Sequence, residues 1–277
     1  MDGKVVVITG GTSGIGLRTA ELFVAQGARV LIVGRREAKG ATLAAAFGEA
    51  VAYARADVRI ESDVRAVIDH AVQHFGRVDC LVNNAGMLPP VAGIPDVDLA
   101  DLDEALRVHV HGVLAGMKHA ARVMIDQGQG SIINVGSIAG IHAGVGGVVY
   151  STAKAAVRHL TRCAAVELGE HGIRVNSVSP GPIVTGIFGK ALGLSDEMAD
   201  ARAEPIKEAF QRMLPHVQAL AQVGTTSDVA SAILFLASNE AGLITGHDLV
   251  VDGGAVADRP ADLLRAQRAA LTAALAR

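Results

Sequence analysis

Residues 9–16 have the sequence TGGTSGIG, and this stretch decides the fold. The β-branched run VVVI at residues 5–8 favours a buried strand before it, and the segment after it has helical spacing up to Gln26. Glycine in the turn lets the backbone approach a ligand closely, because a Cβ would block that approach. The N-terminus of the next helix offers free N–H groups, which suit a pyrophosphate. The stretch therefore predicts a dinucleotide-binding turn, although an ordinary glycine-rich turn is the alternative for such a cluster taken alone.

Short apolar runs and longer amphipathic segments alternate along the rest of the chain. Strands are expected at residues 4–9, 29–33, 51–56, 79–83, 131–135, 173–178 and 248–251. Helices are expected at residues 14–26, 36–47, 61–75, 98–127, 150–170 and 226–238. This alternation is typical of right-handed βαβ units, and the continuous apolar strands indicate a sheet that is covered on both faces. The sequence therefore predicts an α/β fold: a single doubly wound Rossmann domain over residues 1–254, with a seven-stranded parallel sheet and helices on both faces.

Two segments fall outside this alternation. Residues 186–223 form a long insert in which apolar side chains stand among charged ones: Ile187, Phe188, Leu192, Leu194, Met198, Phe210, Met213 and Leu214. We expect the insert to close over a substrate as a lid, with packing against the body of the domain as the alternative. Residues 255–277 form a C-terminal tail rich in Ala, Leu and Arg, which reaches a neighbouring subunit, covers the site of its own chain or is a frayed helix.

The composition excludes several classes of protein. The chain has 277 residues, a net charge of −3 and 50% hydrophobic residues, which argues against intrinsic disorder as its main state. It has no run of Lys or Arg, so we expect neither a nucleic-acid partner nor a membrane partner. Two cysteines are too few for a disulfide scaffold, and the histidines lack ligand spacing, so no metal site is expected. The N-terminus lacks the pattern of a secretory signal, and we expect a soluble cytoplasmic protein.

Further motifs follow the predicted strands. The chain has NNAG at 83–86, Ser137 at the end of a strand, YSTAK at 150–154, Pro-Gly at 180–181 and Asp-Gly-Gly at 252–254. Together with the TGxxxGxG spacing of the turn, these motifs resemble the short-chain dehydrogenase/reductase family over about residues 4–254. The resemblance implies an NAD(P)-dependent oxidoreductase. It also implies a homo-oligomer, a dimer or a homotetramer, that forms through the helices at 98–127 and 150–170.

Tyr150 and Lys154 are four positions apart on a predicted helix, so their side chains share one face. A neighbouring cation favours the phenolate, and we expect Lys154 to lower the pKa of Tyr150 from its reference value of about 10. Tyr150 then serves as the acid/base, and Ser137 hydrogen-bonds the substrate oxygen. The resemblance also implies that Lys154 holds the ribose hydroxyls of the nicotinamide. A surface contact is the alternative for this Tyr/Lys pair taken alone.

The loops beyond the carboxyl ends of the strands indicate the substrate class. Residues 87–90, 138–147 and the start of the insert are mostly apolar, with His142 as a polar exception. We therefore expect an oxidoreductase that transfers a hydride between NADP(H) and an apolar or cyclic secondary alcohol or ketone. The alternative is a non-catalytic dinucleotide-binding sensor or scaffold protein.

Gly34, Arg35 and Arg36 stand at the end of the second strand, where NAD-binding proteins usually carry a carboxylate for the ribose hydroxyls. Arginine suits a 2′-phosphate, so the sequence predicts NADP, with NAD and two solvated arginines as the alternative. With the residues that the resemblance adds, the expected cofactor site comprises Gly10, Thr12, Ser13, Gly14, Ile15, Gly16, Arg35, Arg36, Asp57, Val58, Asn83, Ala85, Gly86, Tyr150, Lys154, Pro180, Gly181, Ile183 and Thr185.

The chain departs from the family pattern at one position. The long helix before the fifth strand often carries Asn in a V-N-x-x-G pattern, where it helps to hold a water in a proton relay behind the lysine. Residues 108–112 of this chain are VHVHG, so His109 takes the position of that Asn. An imidazole with a pKa of about 6.5 can relay protons, and His109 is therefore a catalytic candidate beside Ser137, Tyr150 and Lys154. A packed histidine without a role is the alternative.

Overall fold

The computed structural model describes residues 1–201, 207–209, 211–212 and 217–257, together with residues 265, 268, 269 and 272. These residues contain one parallel sheet of seven strands in the order β3-β2-β1-β4-β5-β6-β7. The strands are β1 Val5–Thr9, β2 Arg29–Gly34, β3 Val51–Arg55, β4 Cys80–Asn83, β5 Gly130–Val135, β6 Ile173–Pro180 and β7 Asp248–Val251. The predicted α/β fold with seven parallel strands is thereby confirmed.

Helices connect the strands. They are α1 Gly14–Ala25, α2 Glu37–Phe47, α3 Glu61–Phe75, α4 Leu99–Leu106, α5 Gly112–Gln127, α6 Val148–Leu168, α7 Gly186–Ala191, α8 Asp196–Ala201 and α9 Thr226–Ala237. A π-helical turn, Arg107–His111, joins α4 to α5, so the helix predicted over 98–127 changes its winding in the middle. α3 and α5 end at Gly76 and Gly128, whose φ angles of +85° and +70° are ones that other side chains rarely adopt.

The sheet is buried on both faces, as its continuous apolar strands predict. Successive side chains of a strand point to opposite faces. Val5 and Val7 belong to the core that includes residues of α3, α5 and α6, whereas Val6 and Ile8 belong to the core that includes residues of α1 and α9. All four side chains are fully buried. Helices therefore cover both faces of the central strand β1.

The strand order places a crevice at the carboxyl ends of β1 and β4. β1 pairs with β2 on one side and with β4 on the other. β3 lies beyond β2, whereas β5, β6 and β7 lie beyond β4, so the strand order reverses between β1 and β4. In open parallel sheets, ligands bind at such a switch point because the connecting loops diverge there. The turn after β1 and the residues after β4 both begin at this crevice.

The insert and the tail are described in part. α7, α8 and residues 217–223 belong to the insert, whereas Phe210, Met213 and Leu214 lie outside the described residues, as does most of the tail at 255–277. The backbone N–H groups of Ala219 and Leu220 donate to the Gly253 carbonyl, which ties the end of the insert to the turn after β7. Within the described ranges, every helix is too short or too polar to span a bilayer.

Arg174 on β6 clamps the end of α9 to the sheet. Its Nη1 donates to the Leu236 carbonyl at 2.7 Å, and its Nη2 donates to the Ser238 carbonyl at 3.1 Å. Arg174→Ala should lower the free energy of unfolding by about 2–3 kcal/mol, because hydrogen bonds from a charged donor are stronger than neutral ones. Urea unfolding followed by circular dichroism measures the loss. A change below about 0.5 kcal/mol, as at an ordinary surface position, would contradict the clamp.

Candidate active site

The carboxyl ends of the strands open into a cleft of about 940 Å³. This volume lies near the upper end of the range for small-molecule and cofactor sites, about 300–1,000 Å³. The cleft is lined by the turn after β1, by residues that follow β2, β3, β4 and β5, by Tyr150 and Lys154 of α6, and by residues between 180 and 192. It therefore lies at the switch point that the strand order creates.

The turn after β1 is shaped to hold an anion. Gly10 has a φ of +66°, which favours glycine. A Cβ on Gly16 would lie 2.3 Å from the Gly10 carbonyl oxygen, so no larger residue fits between the turn and α1. Ser13 precedes α1, but its side chain makes no capping hydrogen bond, and the first turn of α1 carries no acidic residue. The N–H groups and the positive dipole end of α1 thus suit a negatively charged ligand such as a pyrophosphate.

Gly34, at the end of β2, brings two cations to the cleft. Arg35 and Arg36 follow it and line the cleft. A Cβ on Gly34 would lie 3.0 Å from Thr12 Oγ1, so a carboxylate side chain at this position would crowd the turn after β1. Guanidinium groups in place of a carboxylate favour a phosphate at this end of the cleft.

Ion pairs that involve Arg59 also line the cleft, which Arg35 and Arg36 line as well. Arg59 Nε donates to Asp57 Oδ1 at 2.9 Å, and the Arg59 guanidinium also pairs with Glu104 on α4. The hydrogen bonds from Arg59 hold the pKa of the Asp57 carboxyl below its usual range. Sequence reasoning placed Asp57 in the site but missed Arg59 and Glu104, because their pairing joins segments that are distant in the chain.

Ser137, Tyr150 and Lys154 line the cleft together. Ser137 follows β5, and its Oγ accepts a hydrogen bond from the Ala139 N–H at 3.1 Å, which orients the side chain. Tyr150 and Lys154 lie on α6. Lys154 Nζ lies 5.7 Å from the centre of the Tyr150 ring and donates to the Val135 carbonyl at 2.7 Å. This arrangement places a hydroxyl donor, a phenol and an amine over one cavity.

Burial dominates the ionisation of Tyr150 and Lys154. It raises the pKa of Tyr150 to about 12, against a smaller opposite effect of Ser137. It also lowers the pKa of Lys154 to about 7. The expectation that Lys154 lowers the pKa of Tyr150 is not met in this structure, because burial disfavours the charged form of both groups.

His109 lies in the π-helical turn and is buried at the edge of the cleft. Its Nε2 lies 2.9 Å from the Met87 carbonyl oxygen, and its ring meets the Tyr150 ring edge to face, with 5.5 Å between the ring centres. Burial, helped by the nearby Lys154, lowers the pKa of His109 to about 3. The imidazole is thus neutral near pH 7, and the expectation of a relay through an imidazole with a pKa near its reference value is wrong.

Apolar side chains form another part of the lining. They come from four segments and comprise Met87, Leu88, Pro89, Pro90, Val91, Ile138, Val145, Ile187, Phe188 and Leu192. α7 therefore brings the start of the insert to the cleft, whereas His142 is exposed and lies outside the lining. Within the described part of the chain, no group of three His, Cys, Asp or Glu side chains is arranged to hold a metal ion.

All but two of the predicted cofactor residues line the cleft. Gly16 instead packs α1 against the turn, and Asn83 points into the core, where its Nδ2 donates to Asn134 Oδ1 at 2.9 Å. Asn84 lines the cleft in its place, and its Nδ2 donates to the Thr9 carbonyl at 2.9 Å. The second Asn of the NNAG motif was the signal that could have identified this residue.

Comparisons with known proteins agree with this geometry. Residues 10–256 match a family model described as enoyl-(acyl carrier protein) reductase. Sex determination protein tasselseed-2 of Zea mays is 42% identical in an alignment of 279 positions, which covers 94% of this chain and 83% of that protein. (+)-Borneol dehydrogenase 2 of Salvia officinalis is 41% identical over 256 residues, which cover 91% of this chain and 89% of that protein. A solved structure described as a short chain dehydrogenase/reductase family protein has a TM-score of 0.78 and 36% sequence identity, over 93% of this chain and 99% of its own.

Proposed function

This chain belongs to the short-chain dehydrogenase/reductase family, and we propose that it transfers a hydride between NADP(H) and an apolar, cyclic secondary alcohol or ketone. The observation that carries the proposal is the convergence of Ser137, Tyr150 and Lys154 on a cleft that also contains an anion-binding turn. The same three side chains argue against the alternative of a non-catalytic sensor or scaffold, which has no need of an acid/base.

The protein supplies proton transfer and orientation. The nicotinamide, when bound, supplies or accepts the hydride. Tyr150 gives a proton to the substrate oxygen in reduction, and its raised pKa keeps the phenol protonated before that step. In oxidation the phenolate form of Tyr150 takes the proton from the substrate hydroxyl, and this form is the minor one at neutral pH. Ser137 holds the substrate oxygen beside Tyr150. Lys154 donates one N–H to the Val135 carbonyl, which leaves further N–H groups for the ribose hydroxyls.

The residues of the cleft fit NADP(H). The turn after β1 and the N-terminus of α1 would hold the pyrophosphate. Arg35 and Arg36 would hold the 2′-phosphate, and Ile183 and Thr185, which also line the cleft, would lie beside the nicotinamide.

Arg35→Ala should weaken NADPH binding about 10–100-fold and NADH binding less than about threefold, because the guanidinium pairs with a phosphate that NADH lacks. Fluorescence titration of each cofactor gives both values of Kd. Arg65→Ala removes an exposed arginine of α3 and is the matched control, which should change neither Kd. Equal losses for NADPH and NADH in Arg35→Ala would contradict the assignment of this residue.

The apolar lining supports a substrate whose reacting oxygen is its main polar group. The relative named (+)-borneol dehydrogenase makes the bicyclic alcohol borneol a suitable first probe. With NADP⁺ the purified protein should oxidise borneol, and with NADPH it should reduce the corresponding ketone. It should leave the charged hydroxy acid lactate unchanged with NADP⁺. Ultraviolet absorbance of NADPH measures both reactions. Turnover of lactate but not of borneol or cyclohexanol would contradict the proposed substrate class.

We further propose that residues 1–254 form one catalytic domain, that the insert at 186–223 acts as a lid, and that copies of the chain associate through α5 and α6. The position of α7 at the cleft supports the lid. Val166 on α6 is 86% exposed and Leu114 on α5 is 48% exposed, which supports association through these helices.

A further inference from the structure

The segment of residues 87–91, from Met87 to Val91, contributes all five of its residues to the apolar lining of the cleft. Two of them are prolines, which have no N–H group to donate. Within the described part of the chain, the hydrogen bonds of this segment are confined to Met87. One polar contact therefore tethers this wall of the cleft to the rest of the fold.

The partner in that contact is His109. The π-helical turn between α4 and α5 carries its imidazole, which is only 1% exposed. Such turns occur often at functional sites. Nε2 lies 2.9 Å from the Met87 carbonyl oxygen and 3.5 Å from the Met87 nitrogen. The shorter distance identifies Nε2–H as the donor to the carbonyl, which leaves Nδ1 of the neutral ring as an acceptor.

The same ring lies against the proposed acid/base. The His109 and Tyr150 rings meet at an angle of 79° with 5.5 Å between their centres. On another side, a Cβ on Gly86 would lie 3.0 Å from His109 Cε1. The imidazole thus fills the space between Gly86 and Tyr150, and it connects the 87–91 segment to the residue that contacts the reacting oxygen.

Packing alone does not account for a histidine at this position. Among the described residues, Nδ1 of His109 is the buried side-chain nitrogen that lacks a hydrogen-bond partner within the protein. A buried acceptor without a partner costs free energy that an apolar ring of the same shape would not cost. An unsatisfied group of this kind calls for an explanation other than stability.

We propose that His109 is a positioning residue that selects substrates by shape, because its hydrogen bond to the Met87 carbonyl holds the 87–91 segment at a fixed place relative to Tyr150. The inference rests on the proposed function and adds a determinant of specificity to it. A fixed wall orients a rigid bicyclic alcohol, whereas a released wall accepts small and large rings with less discrimination. In this proposal His109 affects substrate specificity through Met87 and does not contact the reacting atoms.

Two substitutions separate the hydrogen bond from the shape of the ring. His109→Phe keeps a ring and removes the donor, whereas His109→Gln keeps an N–H for the Met87 carbonyl. Thermolysin, which cuts beside apolar residues, should cleave the native His109→Phe protein within residues 86–91 about five- to tenfold faster than the wild type, because cleavage follows the population of the released segment. His109→Gln should restore slow cleavage. His111→Phe, at an exposed position of the same turn, should leave the rate unchanged.

Steady-state kinetics of the same variants test whether His109 contributes to the selection of substrates by shape. The ratio of kcat/KM for borneol to kcat/KM for cyclohexanol should fall about fivefold in His109→Phe, mainly through the KM for borneol, and should recover in His109→Gln. An unchanged cleavage rate in His109→Phe would contradict the claim that the hydrogen bond holds the 87–91 segment in place. Faster cleavage with an unchanged ratio of kcat/KM values would contradict the claim that this segment selects substrates by shape. If the wild type oxidises neither alcohol, the proposed function fails, and the cleavage rates still decide the tether.

Discussion

Turnover should fall by about a thousandfold or more when Tyr150 is replaced by Phe, while NADPH binding stays unchanged. Phe fills the same space beside His109 and Lys154 but has no hydroxyl group to exchange a proton with the substrate oxygen. Steady-state rates with borneol at saturating NADP⁺ give the change in kcat, and fluorescence titration gives the Kd for NADPH.

Tyr53 is the other of the two tyrosines in the sequence, and its replacement by Phe is a control for this substitution. The Tyr53 hydroxyl donates to the Gly34 carbonyl at 3.0 Å, and Tyr53 lies outside the lining of the cleft. Tyr53→Phe should therefore leave kcat close to the wild-type value. Near-normal turnover in Tyr150→Phe would refute the role of Tyr150 as the acid/base.

Lys154→Met should abolish turnover and stabilise the fold at neutral pH by on the order of 2 kcal/mol. Lys154 is 5% exposed, and burial lowers its pKa to about 7. At neutral pH about half of the folded molecules carry an ammonium group at Lys154, where desolvation is costly, because its pKa is about 7. Met fills a similar volume without a charge. The Val135 carbonyl loses its donor in this variant, which offsets part of the gain.

The stability gain in Lys154→Met should depend on pH in a defined direction. Between pH 7 and the unfolded pKa of 10.5, the unfolded wild-type chain binds a proton at Lys154 that the folded protein does not bind. Wild-type stability therefore rises with pH across this window, and the advantage of the Met variant is largest at pH 7 and below. Urea unfolding at pH 7 and at about pH 9 measures this dependence.

Lys118→Met is the matched control, because this side chain is 47% exposed on α5. It should change the stability by less than about 0.5 kcal/mol at either pH. A Lys154→Met variant that is less stable than the wild type at pH 7 would show that the buried ammonium stabilises the fold.

The strands were predictable because a strand buried on both faces is a short uninterrupted apolar run, of which residues 5–8 are an example. The meeting of Ser137, Tyr150 and Lys154 was predictable for a related reason. Side chains at the carboxyl ends of parallel strands share one edge of the sheet, and a spacing of four places two side chains on one helix face. Sequence motifs and helical periodicity therefore locate most residues of the proposed site.

Other features depend on contacts that no local pattern contains. The periodicity of residues 98–127 predicts a helix but not the π-helical turn Arg107–His111, which places His109 against Met87 and Tyr150. Asn83 and Asn84 are adjacent in sequence, yet the end of β4 directs the first into the core and the second to the cleft. The pKa values of Tyr150 and Lys154 follow from burial by several elements of the fold, whereas spacing reports only that the two groups are close.

The proposal that this protein is an NADP(H)-dependent oxidoreductase is tested most directly by fluorescence titration of the purified wild-type protein with NADPH and, separately, with NADH. This measurement requires no knowledge of the substrate. We expect saturable binding, with NADPH bound at least about tenfold more tightly than NADH because Arg35 and Arg36 recognise the 2′-phosphate. Equal or tighter binding of NADH would contradict the assignment of NADP. Binding of neither cofactor would contradict the assignment of the cleft as a dinucleotide site and, with it, the proposed oxidoreductase.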